Sequence, residues 1–311
     1  MSSASAHQPV MLSEAVTALN IDPDGIYLDA TFGRGGHSAA ILAKLGHNGR
    51  LLALDRDPEA AAWARQHFNT DTRFSFRQVW FGRLGETVLD YSLQQPLSGV
   101  LLDVGVSSAQ LDDPVRGFSF SHDGPLDMRM DPDTGISVAD WLAHAEADDI
   151  SRVLWQYGEE RYHRRIANAI IAARLESPIV STGQLAALIG RCIPRREPGK
   201  HPATRSFQAL RIMVNRELDE LTAALDQALS SLKPGGRLVV ICFHSLEDRI
   251  VKRFMRDQAR GPVLPPGLPV QAADSGATLR LIGKAQRPSD TEIQSNPRAR
   301  SAVMRIAERL E

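Results

Sequence analysis

The first hundred residues alternate between short apolar runs and segments with helical spacing. Continuous apolar runs between amphipathic segments are typical of strands in a parallel sheet that helices cover on both faces. The predicted strands are residues 26–30, 50–54, 74–79 and 99–104, and the helices between them are residues 37–45 and 58–68. The pattern predicts an α/β domain.

The alternation stops after residue 106. Residues 107–136 are rich in Gly, Pro, Asp and Ser, which predicts loop, and residues 137–192 carry only helical signals. A Pro-rich basic loop spans residues 193–206. Helices at 207–232 and 245–260 and strands at 237–243, 279–282 and 302–306 then resume the α/β pattern. We expect a helical domain, residues 112–205, inserted into an α/β domain of residues 1–111 and 206–311.

Composition is that of a folded protein without a membrane segment. Hydrophobic residues make up 43% of the chain, enough for a core. The two cysteines, Cys192 and Cys242, lie far apart, which argues against a disulfide framework or a metal-ligand pair. The N-terminus lacks a secretory signal, and the longest apolar run, residues 238–243, is too short for a bilayer. We expect a soluble cytoplasmic protein with no metal and no membrane partner.

The formal net charge of −1 conceals two unlike halves. Residues 1–150 contain 10 Lys/Arg and 21 Asp/Glu, whereas residues 151–311 contain 26 and 16. Such asymmetry favours an anionic partner, and basic clusters can neutralise phosphates, although a charge run is more often a solvated helix face. One cluster comprises Arg195, Arg196, Lys200 and Arg205, and another comprises Arg249, Lys252, Arg253, Arg256 and Arg260. We interpret the first cluster as a candidate surface for binding the phosphates of an anionic partner.

The strongest local signal is the segment from Asp29 to His37, in which a strand ends in an acid before a Gly-rich turn and a helix. Glycine lets backbone N–H groups approach a ligand closely. The dinucleotide fingerprint fails because Ser38 stands where its third glycine would be. Asp55 follows Gly33 by 22 residues, near the offset of a ribose-binding acid. An ordinary tight turn with a surface acid is the alternative to an adenosine-type cofactor site.

The acid at the end of the first strand separates the cofactor classes. Asp29 would repel a pyrophosphate, as found in nicotinamide cofactors, but would attract the ammonium and sulfonium groups of S-adenosylmethionine. The alternative is that Asp29 only caps the turn. The pattern favours S-adenosyl-L-methionine over a nicotinamide cofactor.

The chain resembles the bacterial family of S-adenosylmethionine-dependent 16S rRNA cytosine-N4 methyltransferases (RsmH/MraW). The resemblance spans nearly the whole chain in order. The matching segments are residues 7–16, 25–38, 51–60, 101–113, 116–132, 157–170, 201–218, 233–255 and 296–309. It implies a class I (Rossmann-like) methyltransferase fold with a mostly parallel sheet and an inserted helical domain that recognises substrate.

The resemblance also implies the reaction. The methyl group would pass to N4 of a cytidine in the decoding region of 16S rRNA, position 1402 in the usual rRNA numbering, giving N4-methylcytidine and S-adenosylhomocysteine. The partner would be 16S rRNA, within the 30S subunit. A non-catalytic RNA-binding factor with the same fold is the alternative, and the sequence leaves monomer and homodimer open.

The resemblance implies where the cofactor contacts lie. Gly35, Gly36 and His37 would line its methionine end, and Asp55 would hold the ribose hydroxyls. The remaining contacts would come from Phe81, Asp103 and Gln110. Spacing alone favours the alternative that Phe81 is a core aromatic.

The sequence leaves open which residues orient the N4 amine of the cytosine and accept its proton. DNA amino-methyltransferases have an acid or amide, two prolines and an aromatic after strand four, and here only Asp103 is present. Asp103 could bind the cofactor or orient N4. His244 could accept the departing proton or could order its turn. Phe118 and Phe120 could stack on the target base or pack in the core.

Overall fold

The computed structural model describes residues 9–90, 95–195, 199, 201–261 and 276–311. The chain divides into two compact units, each with its own core. The sheet unit comprises Met1–Gly105 and Leu218–Glu311, and the helical unit comprises Val106–Glu217. The expected insertion, residues 112–205, lies inside the helical unit, and its role in substrate recognition remains a prediction.

The sheet unit contains seven strands in the order β3-β2-β1-β4-β5-β7-β6. The strands are β1 (Ile26–Asp29), β2 (Arg50–Asp55), β3 (Phe74–Gln78), β4 (Leu97–Asp103), β5 (Leu232–Cys242), β6 (Leu279–Leu281) and β7 (Val303–Arg309). The first five pair in parallel, and β7 runs antiparallel between β5 and β6. The α/β class with a mostly parallel, Rossmann-like sheet is therefore confirmed.

Neighbouring residues of the central strands belong to opposite faces of the sheet. Leu51, Leu101 and Val239 lie in one buried cluster, while Leu52 and Leu102, each the next residue, lie in another. Because both faces are buried, the strands read as continuous apolar runs. The helices of this unit are α1 (Leu12–Ala18), α2 (Gly36–Leu42), α3 (Pro58–His67), α4 (Leu84–Asp90), α11 (Glu217–Ser231), α12 (Ser245–Arg260) and α13 (Asp290–Ser295).

In the part of the helical unit that the structure describes, six helices pack around one buried cluster. The helices are α5 (Ser108–Asp112), α6 (Val138–His144), α7 (Ala147–Gly158), α8 (His163–Glu176), α9 (Thr182–Cys192) and α10 (Thr204–Asn215). The stretch predicted as loop contains α5 and a 3-10 turn at Pro114–Arg116. Phe118 and Phe120 do not lie in a strand. None of the helices in the described part of the chain is long and apolar enough to cross a bilayer.

Two expectations for residues 207–243 are wrong, one about a helix and one about the strand that follows it. The predicted helix 207–232 is broken at Arg216, which takes a left-handed conformation with φ of 51° and separates α10 from α11. The strand expected from residue 237 already begins at Leu232. Leu97 pairs with Leu232 and Gly99 with Arg237, so the intervening residues form a bulge.

Candidate functional site

Three acids end neighbouring strands at one edge of the sheet: Asp29 on β1, Asp55 on β2 and Asp103 on β4. In open α/β sheets, ligands bind at the carboxyl ends of the strands. The geometry of each acid determines what kind of ligand this edge of the sheet can hold.

Asp29 is buried and spans the start of the Gly-rich turn. Its Oδ1 accepts a hydrogen bond from the Thr31 N–H at 3.1 Å, and its Oδ2 accepts one from the Ser38 hydroxyl at 2.7 Å. Burial raises the pKa of Asp29 to about 6. Asp29 thus fastens both ends of the turn, as the alternative prediction held, and it carries a carboxylate that a nearby cation would stabilise.

The glycines of the turn are required by close packing. Gly35 precedes α2 with φ of 76°, and a Cβ there would lie 2.6 Å from the Phe68 ring and 2.7 Å from the Phe32 ring. A Cβ at Gly36 would lie 2.1 Å from Cγ of Pro9. No larger residue fits at either position without moving the surrounding structure.

Asp55 is held by backbone donors on both oxygens. Its Oδ2 accepts the Gly33 N–H at 2.8 Å, and its Oδ1 accepts the Asp57 N–H at 2.9 Å. Burial raises the pKa of Asp55 to about 6. Each oxygen keeps a further lone pair, so an ordered carboxylate stands beside the Gly-rich turn, as the ribose role requires.

His37 is buried and neutral. Its Nε2 lies 3.2 Å from the Val10 carbonyl oxygen, and its Nδ1 lies 3.7 Å from Oδ2 of Asp103. Since a carbonyl can only accept, we assign the proton to Nε2 and a lone pair to Nδ1. Burial lowers the pKa of His37 to about 4. His37 and Asp103 are therefore neighbours without being an ion pair.

Asp103 carries the most unusual environment of the three acids. Within the described residues, its buried Oδ1 has no hydrogen-bond partner, while its backbone N–H donates to Thr31 Oγ1 at 2.7 Å. Burial first, and then the charges of Asp29 and Glu247, raise the pKa of Asp103 well above its usual range. Asp103 as a whole is half-buried, and a cationic ligand beside it would lower its pKa and stabilise its charged form.

The two other predicted cofactor residues have structural roles in the cofactor-free protein. Phe81 begins a 3-10 turn and is half-buried against a core cluster of the sheet unit, as its alternative prediction held. Gln110, in the helical unit, forms a capping box with Ser107: Gln110 Oε1 accepts the Ser107 N–H at 2.9 Å. Their contact with cofactor remains a prediction.

His244 caps α12. Its Nδ1 accepts the Glu247 N–H at 3.4 Å, and its Nε2 lies 2.9 Å from Glu247 Oε1. Glu247 Oε2 in turn accepts the backbone N–H groups of Phe243 and His244. The Nδ1 contact supports the turn-ordering role, while Nε2, which is buried and makes no hydrogen bond among the described residues, leaves the role of proton acceptor a prediction.

Phe118 and Phe120 have different surroundings in the helical unit. Phe118 is buried in the core, with the Arg116 guanidinium 5.9 Å from its ring. Phe120 is half-buried, and its ring stacks on His201 at 4.3 Å. Core packing therefore describes Phe118 well, whereas Phe120 retains access to a ligand.

The basic cluster of the helical unit is only partly described. Arg195 is exposed, whereas Arg205 is half-buried and donates to the Glu159 carbonyl at 2.8 Å. Arg196 and Lys200 lie outside the described residues. The second cluster lies on α12 and is exposed throughout, namely at Arg249, Lys252, Arg253, Arg256 and Arg260.

Sequence reasoning missed residues that the structure shows to be important for the site and its surroundings. Thr31 Oγ1 accepts the Asp103 N–H, and the Ser38 hydroxyl donates to Asp29. Ser38 could have been noticed because it stands where the third glycine of the dinucleotide fingerprint would be. Asn215 donates to the Met128 carbonyl at 2.7 Å and accepts the Met130 N–H at 2.8 Å. No local pattern indicates that long-range contact.

Comparison with known proteins gives a consistent result along the whole chain. A family model described as the MraW methylase family matches residues 4–310. The protein named Ribosomal RNA small subunit methyltransferase H in Thioalkalivibrio sulfidiphilus is 59% identical over 308 residues, which cover 99% of this chain and 98% of that one. The protein of the same name in Pseudoalteromonas atlantica is 52% identical over 312 residues, covering 100% of both. A solved rRNA methylase from Streptococcus thermophilus aligns over 99% of this chain and 100% of its own, with 12% identity and a TM-score of 0.44.

Proposed function

Because this chain belongs to the MraW methylase family, we propose that it transfers a methyl group from S-adenosyl-L-methionine to N4 of a cytidine in the decoding region of 16S rRNA. The names of full-length relatives at 52–59% identity support methylation of small-subunit rRNA. We further propose N4 as the methylated atom, the decoding region as the site and the assembled 30S subunit as the substrate. The products are N4-methylcytidine and S-adenosylhomocysteine.

The observation that carries the proposal is the set of three acids at the edge of the sheet, above all Asp103, whose Oδ1 has no hydrogen-bond partner in the described part of the chain. The cofactor supplies a methyl group on a sulfonium centre. Asp29 would provide negative charge for its ammonium and sulfonium groups, whose positive charge would lower the pKa of Asp103 and favour the charged form of that acid. Asp55 would accept hydrogen bonds from the ribose hydroxyls. Gly35, Gly36 and His37 shape the turn beside its methionine end.

The amine of cytosine is a poor nucleophile because its lone pair is conjugated into the ring. An enzyme gains several kcal/mol, roughly, by aligning the reacting atoms. Asp103 is the residue that we propose for this alignment, since its free Oδ1 can accept a hydrogen bond from an N4 proton. That bond would hold the amine and make its lone pair more available.

The RNA contacts that we propose belong to the helical unit. Phe120, with Phe118 as its buried neighbour, is the candidate for base stacking, and Arg195 with Arg205 is the candidate for phosphate contact. Arg196 and Lys200 belong to the same cluster by sequence. Association with 30S and a homodimeric state are further parts of the proposal.

The direct test uses 30S particles from cells that lack the enzyme. Protein and S-adenosylmethionine carrying a labelled methyl group are added, and the modified nucleoside is identified by mass spectrometry. We expect N4-methylcytidine at a single site with the wild type and a loss of at least about tenfold in rate with Asp103→Ala. Asp71→Ala is the matched control, because Asp71 is a half-buried acid of the same unit whose carboxylate pairs with Arg73. Label on another atom, or an Asp103→Ala rate equal to wild type, would contradict the proposal.

A further inference from the structure

We propose that His201 is the outer ring of a stacking platform that receives an unpaired nucleobase of the RNA substrate. The inference rests on the proposed function for the identity of the RNA and concerns residues of the helical unit alone. His201 lies outside all the candidate site residues considered above for RNA contact.

Three rings form a series that runs from the core to the surface. Phe207 of α10 is buried, Phe120 is half-buried and His201 is exposed. The rings of Phe120 and Phe207 meet edge to face at 5.0 Å, while Phe120 and His201 stack at 4.3 Å with their planes 24° apart. The stack ends in a ring that is exposed to solvent, and a base can extend it, because every base offers a π-face.

The outer ring is held in place before any ligand arrives. His201 Nδ1 accepts the Ala203 N–H at 3.2 Å, and Ala203 is fully buried at the start of α10. An accepting Nδ1 places the proton on Nε2 in the neutral ring. Because Phe120 and Ala203 already restrict the ring, little side-chain freedom is lost when a base stacks on it.

Charge near the platform suits a nucleic acid. By sequence, residues 191–205 contain five Lys/Arg and one acid, Glu197. Among the described residues of this range, Arg191 and Arg195 are exposed and Arg205 is half-buried. Trp155 offers the contrast within the same unit. It is 56% exposed, but its ring is tilted by 39° against His163, and residues 147–159 contain three acids and one arginine. Exposure of an aromatic ring alone therefore does not single out His201, whereas stacking combined with positive charge does.

The test compares four variants of the full chain. His201→Ala removes the ring, and His201→Phe keeps a stacking ring without hydrogen-bonding nitrogens. His201→Gln keeps a hydrogen-bonding side chain without a ring, and Trp155→Ala is the matched control for the loss of an exposed aromatic. Two quantities are measured: the dissociation constant for a short fluorescein-labelled oligocytidylate, and the KM for 30S particles in methyl transfer. S-adenosylhomocysteine affinity and the melting temperature report on the cofactor site and on folding.

We expect His201→Ala to weaken oligocytidylate binding and to raise the KM by about tenfold, with His201→Phe within about threefold of wild type and Trp155→Ala unchanged. Wild-type values for His201→Ala in both assays overturn the inference. The inference is also overturned if His201→Phe binds oligocytidylate as weakly as His201→Ala while His201→Gln binds like the wild type. That pattern would mean that His201 contributes a hydrogen bond and not a stacking surface. Weakened S-adenosylhomocysteine binding with unchanged RNA binding also overturns it. Absence of N4-methylcytidine with the wild type instead contradicts the proposed function, and the oligocytidylate assay still decides on stacking.

Discussion

Nδ1 of His37 lies 3.7 Å from Oδ2 of Asp103, and the two side chains do not form an ion pair. Burial holds His37 neutral by lowering its pKa to about 4, while burial and the charges of Asp29 and Glu247 raise the pKa of Asp103 well above its usual range. The neighbour that looks like a counterion therefore cannot serve as one. The negative charge of this edge of the sheet is left for a ligand to neutralise.

Cofactor binding should weaken as the pH falls from about 7.5 to about 5.5. Asp29 and Asp55 have pKa values raised to about 6 by burial, so both become protonated across this window. Asp29 then loses its attraction for a cation, and Asp55 becomes a weaker acceptor for the ribose hydroxyls. Isothermal titration calorimetry with S-adenosylmethionine at pH about 6, in two buffers of different ionisation enthalpy, should show proton release. Proton uptake, or an affinity that does not depend on pH, would contradict this prediction.

The stability of the protein without cofactor should depend on pH in the opposite direction, through Asp29 and Asp55. Their folded pKa values are raised, so the stability that they contribute is fully present below about 3.8 and is lost as the pH rises through about 6. The rise in melting temperature that S-adenosylmethionine causes should therefore be larger at pH about 7.5 than at pH about 5.5. Asp55→Asn should reduce that difference, because one of the two titrating carboxyls is gone.

Gly35→Ala should destabilise the sheet unit by about 2–4 kcal/mol. The backbone at Gly35 has φ of 76°, and the added Cβ would meet the rings of Phe32 and Phe68. Urea unfolding followed by circular dichroism measures the loss, and calorimetry should show weaker cofactor binding. Gly190→Ala in α9 is the control, since a Cβ there meets nothing within 4 Å. Equal stability of the two variants would show that the packing at Gly35 is not tight.

Asn215→Ala should loosen the segment around Met128. The Asn215 amide holds the Met128 carbonyl and the Met130 N–H, and Met128 takes a left-handed φ of 64°. A buried group left without its partner costs about 1–3 kcal/mol. Hydrogen exchange at the Met130 amide should become faster, with a lower melting temperature. Asn168→Ala on the exposed side of α8 should change neither, and unchanged exchange at Met130 in Asn215→Ala would refute the role of the amide.

His244→Asn should separate a structural role of His244 from a catalytic one. Asparagine is a good N-cap residue, so this variant should keep the stability of the wild type, whereas His244→Ala should lose about 1 kcal/mol. If His244 only orders its turn, His244→Asn keeps its methyl-transfer rate and its pH–rate profile. A rate that collapses in His244→Asn, at unchanged melting temperature, would instead identify His244 as the proton acceptor.

The strands and the Gly-rich turn could be predicted because their causes are local. Strands buried on both faces read as apolar runs, and the turn needs glycine where the chain passes the Phe32 and Phe68 rings. The capping box of Ser107 and Gln110 was also readable from its spacing, and it explains the short helix in a stretch predicted as loop.

The break between α10 and α11 could not be predicted, because its cause is not local. Arg216 is neither glycine nor asparagine, yet it adopts φ of 51°. The residues next to Arg216 are fixed by side-chain contacts. The Arg211 guanidinium donates two hydrogen bonds to buried Glu217, and the Asn215 amide donates to the Met128 carbonyl. His201 was missed for a similar reason, since its stacking partner Phe120 lies far away in sequence.

The two units differ in the number of chain segments that form them. The helical unit is one continuous stretch, Val106–Glu217, whereas the sheet unit needs both ends of the chain. During synthesis, the sequence of the helical unit is therefore complete while the last 94 residues, 218–311, are still to be made. Until β5 emerges, the edge of β4 has no partner, and an unpaired strand edge is prone to aggregation. The insertion thus lengthens the interval in which the nascent protein depends on protection of that edge.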